Sequence, residues 1–217
     1  MGKKKLTVFG GTGKSGKFFV ECALERGYEL KLLVRNPEKL TEEVRNASMV
    51  DVVVGDALSP ENVSETIAAS DAVVVLLGHT RNSPANLQEQ AIALIIDEMR
   101  KYEVKRLIDL TGAGVRTEGD KPSLIDRFAN LMLAVVDRAR LVDGARHVEI
   151  IKQCKDLDWT VIRTGLQRSE QGNGSYKLGM VGTNDTGFAI SRGNLAKAML
   201  DVLEDREYIG KILYVSD

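Results

Sequence analysis

The run Leu6-Thr7-Val8-Phe9-Gly10-Gly11-Thr12-Gly13-Lys14-Ser15-Gly16 decides the fold. Leu6 to Phe9 is a short apolar strand, Gly10-x-x-Gly13-x-x-Gly16 a tight turn, and Lys17 to Arg26 a helical pattern. Such a triplet carries meaning in that order. Glycines let the backbone turn sharply and approach a ligand, and the first N–H groups of the helix then face a pyrophosphate. Gly10, Thr12, Gly13, Lys14, Ser15 and Gly16 are therefore candidate cofactor contacts. The rival is a P-loop, because Gly13-Lys14-Ser15 matches the end of GxxxxGK[ST]. That pattern needs glycine where the chain has Val8, and the loop is too short to wrap a β-phosphate.

Outward from the turn, short β-branched runs alternate with longer amphipathic segments, the pattern of βαβ units in a parallel sheet. Strands are expected at Lys5 to Phe9, Glu29 to Val34, Val50 to Val54, Ala72 to Leu77, Arg106 to Leu110, Trp159 to Arg163 and Ile212 to Val215. Their near-continuous apolar content suits strands covered on both faces. Asn36-Pro37-Glu38 and Ser59-Pro60-Glu61 read as helix starts. Leu124, Ile125, Phe128, Leu131, Met132, Val135 and Val136 fall on one helical stripe behind Ser123. Gly144 is expected to break that segment before a second helix carrying Val148, Ile151 and Cys154. Gly172 to Gly187 is the longest irregular stretch, a loop over the site or an exposed hairpin. With neither repeat nor linker, the expectation is an α/β, doubly wound Rossmann-type sheet in one domain over 1–217. A small C-terminal portion would stand on the substrate side.

Composition narrows the partners. Thirty Lys and Arg against 31 Asp and Glu leave no net basic charge to hold a polyanion, so nucleic acid is excluded as the main partner. No apolar run approaches the ~18 residues of a membrane span. Cys22 and Cys154 lack CxxC spacing or a histidine cluster, so a reduced, cytoplasmic chain without a metal site is expected. The end of the second strand, Lys31-Leu32-Leu33-Val34-Arg35-Asn36, bears on the cofactor. NAD sites place an acid here for the ribose hydroxyls, whereas Arg35 can pair with the 2′-phosphate of NADP(H), or simply be solvated.

These motifs together resemble the atypical short-chain dehydrogenase/reductases, in the branch that holds biliverdin-IXβ reductase and the NmrA-like proteins. The similarity rests on GGTGKSG at 10 to 16, LLVRNPEKL at 32 to 40, VVVGDALSPENV at 52 to 63, DAVVVLLG at 71 to 78 and ISRGNLAKAML at 190 to 200. The resemblance implies that Asp56 and Ala57 border the adenine, and that Leu77 and Gly78 line the ribose and nicotinamide side, with core packing the other reading of Leu77. The chain also departs from the pattern. None of its five tyrosines has lysine four residues later, so the Tyr-x-x-x-Lys pair of the superfamily is missing. Gly112 follows Thr111 where biliverdin-IXβ reductase has a serine, and Thr164-Gly165 follows Arg163 where that enzyme has a histidine.

Four side chains remain as candidates for chemistry. Thr111, just beyond the fifth strand, can face the nicotinamide carboxamide or a substrate. His79 follows the fourth strand on the ligand side and is either a donor or a loop histidine without a role. Arg163 can serve an acidic substrate or an ion pair, and His147, near Glu149, reads as a surface residue. Without a positioned acid and base, acceptors stabilised by conjugation are favoured. The expectation is an NADPH-dependent reductase of a flavin, quinone or tetrapyrrole-like small molecule. The alternative is a non-catalytic NADP(H)-responsive regulator, and a homo-oligomer stays open.

Overall fold

The structure, a computed structural model, describes residues 4–124, 127–128, 131–132, 137–183 and 186–217. Ten strands are described: β1 Lys5–Phe9, β2 Glu29–Val34, β3 Val50–Val54, β4 Ala72–Val75, β5 Arg106–Gly112, β6 Asp158–Thr164, β7 Leu166–Arg168, β8 Lys177–Gly179, β9 Ala189–Ser191 and β10 Lys211–Ser216. The helices are α1 Lys14–Glu25, α2 Glu42–Arg45, α3 Pro60–Ile67, α4 Leu87–Lys101, α5 Arg138–Gln153 and α6 Arg192–Glu204. The main sheet has the order β3-β2-β1-β4-β5-β6-β10-β8. Every pairing in it is parallel except β10 with β8. This is the doubly wound, Rossmann-like single domain that the alternating pattern implies. The order reverses between β1 and β4, which opens a crevice above their carboxyl ends.

Side-chain alternation builds two cores, one on each face. Leu6, Val8, Leu30, Leu32, Ile108 and Ile162 pack against α1 and α6. Phe9, Leu33, Val53, Val73, Val75, Leu107 and Val161 pack against α3, α4 and α5. Helix starts follow the sequence signals. The Ser59 side chain accepts from Asn62 N to cap α3, and Asn36 accepts from Glu38 N at a 3-10 turn over Pro37–Lys39.

Four expectations change. β4 ends at Val75, two residues before Leu77. Gly144 does not break a helix but lies inside α5, where the absence of a side chain lets the helix approach Thr111 and Val115. Leu124, Phe128, Leu131 and Met132 are exposed rather than packed; Ile125, Val135 and Val136 lie outside the described residues. The Gly172–Gly187 stretch contains β8, an edge strand on β10. It is anchored by buried Asn194, which accepts from Gly174 N at 2.8 Å and donates to Ser175 O at 2.7 Å.

Candidate active site

Above the crevice lies a cleft of about 780 Å³. It gathers Thr12, Gly13, Lys14 and Ser15 from the glycine turn, Leu77, Gly78 and His79 from beyond β4, and Thr111 from β5. Eight of the residues expected from the sequence thus meet in one place.

The turn itself is built by steric necessity. Gly10 holds φ +88°, and a Cβ there would stand 2.5 Å from Leu76 O. A Cβ on Gly16 would stand 2.1 Å from Gly10 O, so strand and helix meet only because neither residue has a side chain. Gly10 and Gly16 do not line the cleft; they shape it. Gly13 N donates to Gly10 O at 2.9 Å and closes the turn. α1 then opens on Gly13, which has no side chain to cap it; the N-cap residues of α4 and α6 also make no side-chain cap, whereas those of α2, α3 and α5 do. A helix start left uncapped at the edge of the cleft fits a pyrophosphate. Ser15 Oγ donates to Gln167 Oε1, and Gln167 Nε2 donates to Thr164 Oγ1 at 2.9 Å, so β7 is tied across the turn.

Arg35 stands exposed at the end of β2, outside the cleft lining, and has no hydrogen-bond or ion-pair partner among the described residues. Lys39, a cleft residue the sequence reading passed over, stands four positions later. Asp56 and Ala57 follow β3, also outside the lining. The Asp56 carboxylate accepts from Leu58 N at 2.9 Å, and Asp56 N donates to Asn62 Oδ1 at 3.1 Å, which fixes the loop. Leu77 is half-buried, and its carbonyl accepts from Gln88 Nε2 at 2.8 Å.

Thr111 is 6% exposed, lines the cleft, and its hydroxyl has no partner among the described residues. His79 lines the same cleft, and its Nε2 lies 2.7 Å from Asp143 Oδ2 with both side chains buried. Asp143 also accepts from Gln88 N at 2.8 Å and Glu89 N at 2.9 Å, so one carboxylate caps α4 and fixes the imidazole. The sequence held no local sign of this pair, because Asp143 lies 64 residues from His79.

His147 is a correction: it is 1% exposed, not a surface residue. Its Nε2 lies 2.9 Å from Asp109 Oδ2, and Nδ1 lies 3.3 Å from Asp143 O. Burial alone would lower its pKa. The Asp109 carboxylate, helped by the Asp143 carbonyl, outweighs burial and raises it. Arg163 is likewise structural. Fully buried, it makes a bidentate pair with Asp120 at 2.7 and 2.9 Å and donates to Val115 O at 3.0 Å. Burial opposes ionisation of Asp120, yet Arg163 and two backbone N–H donors hold its pKa below the ordinary carboxylate value. The pair ties β6 to the loop after β5, out of reach of any substrate role.

No group of three or more His, Cys, Asp or Glu suited to a metal occurs among the described residues, and no described helix is long and apolar enough to cross a membrane.

Known proteins share this fold. Across 94% of both chains, the sequence is 27% identical to the uncharacterized protein YwnB of Bacillus subtilis. It is 25% identical to a chloroplastic protein of Arabidopsis thaliana over 98% of this chain and 76% of that one. A short-chain dehydrogenase/reductase of Veillonella parvula, solved in complex with NADP, shares the fold at TM-score 0.83 and 16% identity, covering 99% of this chain and 94% of that one. The resemblance to the atypical branch of that superfamily fits these neighbours. The model of the NAD(P)H-binding family matches residues 10–206, and the chain belongs to that family.

Proposed function

We propose that the chain is an NADPH-dependent reductase acting on a conjugated acceptor such as a flavin, a quinone or a tetrapyrrole. The observation that carries this reading is the single cleft that joins the uncapped start of α1 to Thr111 and the Asp143-bound His79. Gly13, Thr12, Lys14 and Ser15 receive the pyrophosphate, and Arg35 with Lys39 takes the 2′-phosphate that distinguishes NADPH from NADH. Asp56 and Ala57 bound the adenine; Leu77 and Gly78 bound the nicotinamide ribose. When bound, the nicotinamide supplies a hydride, two electrons with one proton.

The chain's own part is to orient and to exclude water. The Thr111 hydroxyl donates to the carboxamide or to the acceptor's carbonyl. Asp143 fixes the His79 ring through Nε2, so His79 contributes by contacting and orienting the acceptor, and the second proton comes from water. A conjugated acceptor spreads the incoming charge and can take that proton from water. An isolated ketone cannot, and loss of positioned acid–base help costs about 10²–10⁴-fold.

A second reading, a non-catalytic NADP(H)-responsive regulator, draws on a specific feature: α5 turns Arg140 and Gly144 toward the cleft, with no Tyr–Lys pair among them. Steady-state consumption of NADPH with flavin mononucleotide, a naphthoquinone and cyclohexanone separates the readings. Slow turnover of the first two without the third is expected. Fast ketone reduction would contradict the proposed chemistry, and tight NADPH binding without any turnover would establish the regulator.

A further inference from the structure

We infer that the acceptor is an anion, and that Arg140 reads its carboxylate or phosphate at the Thr111 end of the cleft. This rests on the reductase reading and narrows its substrate class. The charged side chains lining the cleft are Lys14, Lys39, Arg140 and Arg192, and no carboxylate lines it among the described residues. The whole chain carries a net charge of −1, so this excess of cations is local. A cleft of one sign with low-dielectric walls concentrates oppositely charged ligands.

The cofactor accounts for only part of that charge. Lys14 is in the glycine turn and Lys39 follows β2, where the dinucleotide phosphates are expected. Arg192 opens α6 and donates to Ser169 Oγ, beside the β7 strand whose Gln167 holds Ser15. Arg140 is elsewhere, in the first turn of α5. It shares a helix face with Gly144, four residues on. Gly144 packs directly against the floor of the cleft: a Cβ on it would stand 3.5 Å from Thr111 Oγ1 and 3.3 Å from Val115 Cγ2. The missing side chain brings α5 onto Thr111, and Arg140 lines the cleft one turn earlier on the same helix.

The guanidinium is also available. Its Nε pairs with Asp137 Oδ2 at 2.9 Å, but the Arg140 side chain is 51% exposed, and a surface pair of this kind holds weakly. Its two terminal NH₂ groups have no partner among the described residues. A planar fork with free N–H groups matches two oxygens of a carboxylate or phosphate, which a lysine cannot do.

Flavin mononucleotide and riboflavin share one ring system and differ in the phosphate, so the pair isolates the charge. Their affinities are read by flavin fluorescence on the NADP⁺-saturated protein, which keeps the dinucleotide site filled, and their KM values with NADPH. We expect flavin mononucleotide to bind about tenfold tighter than riboflavin, a charge-assisted bidentate contact. In Arg140→Gln that ratio falls to about one; Arg140→Lys recovers only part of it. Retention of the NADPH-induced thermal shift in both variants shows that the fold and cofactor site survive. Equal affinities in the parent, no binding of either flavin, or an undiminished ratio in Arg140→Gln would overturn the inference. Turnover of both flavins at equal KM would do so while leaving the reductase reading intact. Tighter binding of flavin mononucleotide through Arg140 without turnover of either would uphold the anion site and sink the reductase.

Discussion

At the scale of single residues, the buried polar groups divide by whether they face the cleft or the protein interior. His79 and Thr111 face the cleft, whereas His147 and Arg163 spend their bonds on Asp109 and Asp120 inside the protein. The sequence left His79 and Arg163 open and misplaced His147, because each partner comes from a distant segment that no local pattern announces. The His147–Asp109 pair makes stability depend on pH with a definite sign. A raised imidazole pKa in the fold means a contribution fully present below the unfolded value of 6.5 and lost as pH rises through the folded value. Urea unfolding is therefore expected to show the parent losing stability as the pH rises above 6.5, with Asp109→Asn flattening that dependence. Asp109→Ala, which leaves His147 buried without its anion, is expected to cost about 3–5 kcal/mol. A parent whose stability is level over that range, or an Asp109→Asn variant with the same slope, would contradict the pairing.

At the scale of elements, β1, β2, β4 to β6 and β10 were legible because strands covered on both faces read as near-continuous apolar runs, and the edge strand β3 by its β-branched valines. β7, β8 and β9 have three residues each, too few for a periodicity to declare itself. α5 shows the opposite failure. Gly144 reads as a break by intrinsic propensity, at a cost of about 1 kcal/mol relative to alanine, yet packing against Thr111 carries the helix through it. The glycine turn separates fold from function more finely than its motif suggests. A Cβ on Gly16 would meet Gly10 O at 2.1 Å, so Gly16→Ala is expected to lower the melting temperature by several degrees or abolish folding. A Cβ on Gly13 would meet the same carbonyl at 3.1 Å, from a backbone that any residue adopts. Gly13→Val is thus expected to keep its circular dichroism spectrum and lose the NADPH-induced thermal shift. A Gly13→Val protein that shifts with NADPH as the parent does would move the phosphate site away from the turn.

At the scale of the whole molecule, the sheet reversal between β1 and β4 brings together groups that are scattered along the chain. The glycine turn, the ends of β4 and β5, and the face of α5 converge only there. Local motif and strand order sufficed to bring the glycine turn and the ends of β4 and β5 to this cleft. Gln88, Arg140, Gly144 and Gln167 escaped, since they belong to no motif and reach the cleft only through the packing of α4, α5 and β7. The proposed dinucleotide site on the glycine turn selects NADPH through Arg35. Titration calorimetry with NADPH and NADH, on the parent and on Arg35→Ala, tests it most directly. One NADPH should bind per chain, about ten- to a hundredfold tighter than NADH, the worth of a charge-assisted contact of about 1.5–3 kcal/mol, and Arg35→Ala should erase most of that preference. Absence of binding heat with either dinucleotide, equal affinities in the parent, or a preference undiminished in Arg35→Ala would contradict it.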